Sequence, residues 1–288
     1  MIQIDGISFG YRRNRLYQDF SLQLAEPGVY GVFGRNGSGK STLLKMLAGL
    51  LFPQRGRIRA LGHEPRRRHP DYLAQVYLVP EEFHLPNLSA RALARTHAGF
   101  YPRFSAAAFA DYLRVFELAD DHAFGEMSLG QKKKAAMAFA LATFTPLLLL
   151  DEPTNGLDIL GRDQFKDIVA RPEQRQRTVL ISTHQAHDLE RIMSHILFID
   201  TAALALSATM AQLSQALTMG VAPDAAALAA MPEPIYSEPM GDQRAYVAAN
   251  PGQAAGTVHL ELLCKALSRN KDGVLAALRA AQREPGHV

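Results

Sequence analysis

The sequence predicts a layered α/β domain with a mostly parallel central sheet, followed by a small carboxy-terminal appendage. Three observations carry this. Apolar runs such as "GVYGVFG", "PLLLLDEP" and "RTVLISTH" are bounded by turn signals and have the length of buried strands. Segments of helical composition alternate with them, the pattern of a layered α/β chain. The 288 residues are 48% hydrophobic and 20% charged, the composition of a soluble globular protein.

Taken in order, "IQIDGISF" alternates apolar and polar positions and suits a strand. "GVYGVFG" from Gly28 is a strand ending in glycine, and "SGKSTLLKMLAGL" after it has helical periodicity. "RIRALGHEP" reads as a short strand and turn, and "QVYLVPEE" as a strand stopped by Pro80. From about Leu88 to Phe144 the composition is mostly helical. Within it, "GEMSLGQKKKAAMAFALA" starts with a capping-box pattern, Ser128 with Gln131 three residues on. Lys132, Lys133 and Lys134 then crowd positive charge near the helix end that favours anions, which points to an anion outside the chain. "ILFIDTAALALS" resembles a strand pair. After Ser207 the character changes: Ala208 to Val288 is alanine-rich, with Tyr236 and Tyr246 its only aromatics, and "VHLELLCKALSRNKDGVLAALRAA" looks like one or two amphipathic helices.

The formal charge of +3 does not demand a nucleic-acid partner. Cys264 stands alone, so no intrachain disulfide forms, and it reads as a small apolar residue. The first residues show no apolar core of signal-peptide length, and no run of about 18 apolar residues occurs. If the protein serves a membrane, another chain supplies the span. Arginines 55, 57, 59, 66, 67 and 68 read as a solvated hairpin face rather than a phosphate-binding patch, because no aromatics interleave them.

The chemistry begins at "GRNGSGKST", Gly34 to Thr42, which fits G-x-x-x-x-G-K-[ST]. Glycines let backbone N–H groups converge on phosphate oxygens, and the following helix adds its dipole. Lys40 is placed to reach the β- and γ-phosphates and the Ser41 hydroxyl to ligate Mg²⁺. In "LLLLDEPTNGLD" an apolar strand delivers Asp151 to its carboxyl end, where it can hold Mg²⁺ through water. Glu152 is then the candidate general base. In "LISTHQ", His184 sits at another strand end, where it can reach a γ-phosphate or order the catalytic water.

As a set, these motifs resemble the nucleotide-binding subunit of an ABC (ATP-binding cassette) transporter over roughly residues 1–207. "GRNGSGKST" matches the Walker A loop, "MSLGQ" the signature, "LLLLDE" the Walker B strand, "NGLD" the D-loop and His184 the switch histidine. The resemblance implies a phosphate-loop NTPase cassette with a parallel core sheet, an antiparallel β subdomain and a helical subdomain at about 82–144, leaving 208–288 as the appendage. It implies ATP and Mg²⁺ as cofactors, catalysis by Glu152 and His184, and nucleotide contacts from Gly34, Arg35, Asn36, Gly37, Ser38, Gly39, Lys40, Ser41 and Thr42. Ser41, Asp151 and Glu81 are the implied metal residues. Tyr11 matches the aromatic that stacks on adenine, although a strand-edge aromatic remains the other reading. In this family two subunits sandwich two ATP molecules, so Ser128, Gly130 and Gln131, with Asp158 of the D-loop, would meet nucleotide across a homodimer or heterodimer interface. The three lysines would contribute there by charge rather than by contact.

Two departures stand out. The signature has Leu129 where the family has a first glycine, and Glu81 stands where the family has glutamine. Both resemble the exporter branch, whose permease is a separate integral-membrane chain and whose ATPase lies peripherally on the cytoplasmic face of the inner (plasma) membrane. Phe83, His84, Leu85, Phe100 and Tyr101 are candidate permease contacts. A cassette acting on ribosome or DNA is the alternative, and a phosphate-loop kinase would need neither signature nor "NGLD".

Overall fold

A computed structural model describes residues 1–12, 14–184, 189–229, 234–250, 252 and 254–283. The chain runs β1 (Ile2–Tyr11), β2 (Asn14–Leu24), β3 (Gly28–Gly34), α1 (Lys40–Leu47), β4 (Arg55–Ala60), α2 (Pro70–Leu73), β5 (Val76–Val79), α3 (Ala90–His97), α4 (Ala106–Val115), α5 (Leu129–Ala142) and β6 (Leu147–Asp151). It continues through α6 (Ile159–Val169), β7 (Thr178–Ser182), β8 (His195–Asp200), β9 (Ala203–Thr209), α7 (Met210–Ala216), β10 (Leu217–Ala222), α8 (Ala225–Ala229), β11 (Tyr236–Met240), β12 (Gln243–Ala249), α9 (Leu260–Arg269) and α10 (Lys271–Arg283).

The apolar runs form the central sheet, in the order β5-β6-β7-β3-β8-β9. Every neighbouring pair is parallel except β8 with β9. The five residues of β6 are all buried, as a strand covered on both faces requires. Alternate side chains serve opposite faces. Val32, Leu147, Leu149, Leu180 and Leu197 pack with α1 and β1, whereas Phe33, Leu148, Leu150, Ile181 and Phe198 pack with α4, α5 and α6. All strand carboxyl ends of the parallel set therefore meet along one edge, where ligands of such sheets bind.

β1 lies between β2 and β4 in a separate antiparallel sheet. Arg55, Arg57 and Arg59 of β4 are exposed while Ile58 and Ala60 point inward, the solvated face the sequence suggests. The carboxy-terminal part departs most from the sequence reading. Besides the amphipathic helices α9 and α10, it holds a three-stranded antiparallel sheet, β10-β12-β11. The sequence reading contains neither these strands nor β2. Alanine-rich stretches have weak strand propensity, and pairing with neighbours decides their form. β9 runs across the boundary expected at 207/208, and residues 284–288 of the expected appendage lie outside the described part. Leu213, Val247, Leu260, Leu263 and Val274 share one apolar core with Phe33, Ile196 and Phe198 of the central sheet.

Candidate active site

β3 ends at Gly34, and the chain turns through a loop closed by Gly39, which caps α1 in a left-handed conformation (φ 107°). A Cβ at Gly39 would lie 2.6 Å from the Tyr17 hydroxyl oxygen. That hydroxyl donates to the Gly39 carbonyl at 2.8 Å, so buried Tyr17 is the floor of the loop. Lys40 is 7% exposed, and its Nζ donates to the carbonyls of Gly34 (2.9 Å) and Arg35 (3.2 Å). Burial pushes its pKa down, and the charges of Glu152, Asp151 and Glu81 oppose that shift. The Ser38 hydroxyl is buried and lacks a partner among the described residues, as a group that awaits a phosphate oxygen would. Tyr11 is 49% exposed, edge-on to Phe9, with its hydroxyl 3.4 Å from Thr42 Oγ1.

β6 carries Asp151 to the same edge. Its Oδ1 accepts from Ser41 Oγ at 2.9 Å and from Ser182 Oγ at the end of β7. A hydroxyl and a buried carboxylate so placed are the hard oxygen donors that Mg²⁺ takes. Glu152, 6% exposed, sits at φ 46°, a region that residues with side chains seldom occupy. Its N–H donates to Ser182 O at 2.9 Å, and its Oε1 lies 2.8 Å from His184 Nδ1. Its Oε2 is buried without a partner among the described residues, free to accept a proton from water. His184 thus stands against the candidate base. Glu81 is exposed and accepts from Asn155 Nδ2 at 3.0 Å.

The capping box forms as read: Ser128 Oγ accepts from Gln131 N–H, and Gln131 Oε1 accepts from Ser128 N–H. Among the described residues no hydrogen bond joins Ser128, Gly130 or Gln131 to the loop of the same chain. The reading of the three lysines needs correction. Lys133 is 3% exposed, and its Nζ donates to Glu152 O (2.6 Å) and Asn155 O (2.9 Å). Lys134 Nζ lies 3.2 Å from Asp158 Oδ1. Both act by contact, since the helix turns them toward the segment after β6; they occupy the second turn of α5. Gly130 is confined within its own chain as well, because a Cβ there would meet Gly156 O at 3.0 Å. Asp158 caps α6 by accepting from Gly161 N–H at 2.8 Å. Of the candidate permease contacts, Phe100 is 68% exposed, whereas Leu85 and Tyr101 pack against the core.

A family model described as "ABC transporter" matches residues 17–155. The chain is 33% identical over 193 residues to the cytochrome c biogenesis ATP-binding export protein CcmA of Rhizobium meliloti, an alignment covering 64% of this chain and 91% of that protein. The chain belongs to the ABC transporter ATP-binding proteins. It is also 29% identical over 190 residues to the bacitracin transport ATP-binding protein BcrA of Bacillus licheniformis, covering 65% of this chain and 62% of that one. A solved dimeric ATP-binding cassette in a post-hydrolysis state, bound to ADP and Pi, shares the fold with a TM-score of 0.63 at 21% identity, covering 73% of this chain and 98% of that one. The protein is thus an ABC-type ATPase, and no helix among its described residues is long and apolar enough to cross a membrane.

In this ABC ATPase the carboxy-terminal part reaches the site. A cavity of about 670 Å³ lies between Arg35 and His184 on the cassette side and Tyr236, Cys264, Lys265 and Arg269 on the other. Lys265 Nζ bridges Glu238 and Glu261, both at 2.9 Å, and so ties α9 to β11 along that wall. The sequence reading contains neither this wall nor Tyr17 and Ser182, and it places Asn155 and Lys133 only within "NGLD" and the lysine run, without their contacts. Ser182 stands within the polar end of "LISTH", the one available signal; the rest depend on tertiary packing.

Proposed function

We propose that this ATPase powers an exporter whose permease is a separate integral-membrane chain, and that it works as a pair of nucleotide-binding subunits on the cytoplasmic face of the membrane. Residues 1–207 form the cassette in this reading, with a helical subdomain at about 82–144 and an appendage at 208–288. The observation that carries the hydrolytic part is the setting of Glu152: buried, held by His184 at 2.8 Å, with Oε2 unpartnered among the described residues and Asp151 adjacent. The loop N–H groups and Lys40 hold the phosphates. Mg²⁺ held by Ser41 and Asp151, and by Glu81 directly or through water, would supply neutralising charge to them. Glu152 Oε2 accepts a proton from water as its oxygen attacks the γ-phosphorus, the bond to the bridging oxygen breaks, and ADP and phosphate leave. His184 fixes the carboxylate that takes the proton. Tyr11 takes the adenine face, and Ser128, Gly130, Gln131 and Asp158 meet nucleotide held by the partner subunit.

Export is supported by the similarity to CcmA, an ATP-binding export protein, and by the residues at positions 129 and 81. Glu152→Gln should leave ATP binding intact, slow hydrolysis by about 10²–10⁴-fold, and trap an ATP-bound dimer on size exclusion. Normal turnover in that variant places the base elsewhere. Affinity purification from membranes should recover a polytopic membrane protein; recovery of ribosomes or DNA instead defeats the transport reading.

A further inference from the structure

The first two turns of α5 touch the segment after β6 at three successive places. Gly130 lies against Gly156 O, Lys133 reaches Glu152 O and Asn155 O, and Lys134 reaches Asp158. Lys133 is the buried member of this seam, and its partners are main-chain carbonyls rather than an acid. Glu152 has a backbone that a residue with a side chain seldom adopts. Its N–H is held by Ser182 O, its carbonyl by Lys133, and its carboxylate by His184. Asn155, whose carbonyl shares the same ammonium, donates its side-chain amide to Glu81. One lysine therefore joins the start of α5 to the base and, through Asn155, to Glu81, two residues beyond β5.

We infer that Lys133 is a positioning residue that sets the orientation of Glu152 according to the seat of the α5 amino terminus, and so links the two ATP sites of the dimer. This rests on the proposed function, in which Ser128 and Gly130 act on the partner's nucleotide while Glu152 acts on its own. When the partner's nucleotide draws the start of α5 into place, the ammonium carries that seat to the Glu152 peptide. A lysine suits the task because its three donors can hold two carbonyls at once. Docking of α5 as such does not need it, since Ala135 to Ala142 are all buried and already anchor the helix.

The test compares Lys133→Met, Lys133→Arg, Glu152→Gln and wild type, each as the full chain, by ATP turnover, binding of a fluorescent ATP analogue and thermal melting. Lys133→Met should lower kcat about 10- to 100-fold, the penalty of a small misplacement of a reacting group, with KM and analogue affinity within about twofold of wild type. Lys133→Arg, which keeps the donors, should recover at least a third of the wild-type kcat. Wild-type kcat in Lys133→Met with an inactive Glu152→Gln overturns the positioning role and leaves the base assignment standing. Normal turnover in Glu152→Gln overturns the base assignment and the inference with it. A fall in kcat of equal size in the Met and Arg variants, accompanied by lower melting temperatures in both, makes Lys133 a packing residue and also overturns it.

Discussion

At Lys40, two requirements meet on one side chain. Burial disfavours its charge, and nearby carboxylates restore it, so the ammonium is held ready on two loop carbonyls. Lys40→Ala removes the loop's aimed cation and should abolish turnover and weaken ATP binding; wild-type turnover in it would sink the phosphate-loop assignment. Cys264 is a second single-residue probe. Burial, helped by Glu261 and Glu190, pushes its thiol up to about 12 from about 9. Because the folded form keeps the proton longer, this group's stabilising contribution is present below about pH 9 and is lost as pH rises toward 12. Alkylation at pH 8.5 should be at least about tenfold slower in the folded chain than in urea, since only the thiolate reacts. Equal rates would put the thiol in water. The loop glycines, Lys40 and Asp151 were legible in sequence because their spacing is fixed by phosphate chemistry. Tyr17 and the burial of Lys133 were not, because a floor and a buried donor are defined only by what folds over them.

The elements show the same division. α5 was readable from its capping box, and Ser128→Ala should cost about 0.5–2 kcal/mol of helix stability, read as a melting temperature lower by a few degrees. An unchanged melting temperature would mean that the Gln131 half of the box holds the turn alone. The orientation of α5 was not readable. Three adjacent lysines look alike on paper, yet the helix sends Lys133 to carbonyls and Lys134 to Asp158. β6 and β7 were legible because unbroken apolar runs of strand length must be covered on both faces. β10 and β12 were not: "LTMGVA" and "QRAYVAA" pair with each other, and the pairing, not their composition, makes them strands.

For the molecule as a whole, the carboxy-terminal part shares a core with the central sheet instead of forming one of its own. Removing residues 208–288 would uncover Ile196, Phe198 and Leu206 on the β8–β9 edge. The chain cut at 207 should be poorly soluble and melt well below the full chain, and the full chain should melt in a single transition. A soluble 1–207 fragment with unchanged melting would show that the rest is an independent attachment. The α/β layering was legible because it follows from strand and helix periodicity. The placement of the last elements beside the phosphate loop was not, because nothing in a linear pattern says which edge of a sheet a later segment will cover. That placement has a pharmacological consequence. A small inhibitor seated in the 670 Å³ cavity would rest one half on Arg35 and His184, which the proposed function assigns to nucleotide handling, and the other on Lys265 and Arg269 of α9, to which it assigns no such part. Its potency would come from the first half and its discrimination among cassettes from the second, so Lys265→Ala should erase the discrimination while leaving ATP turnover in place.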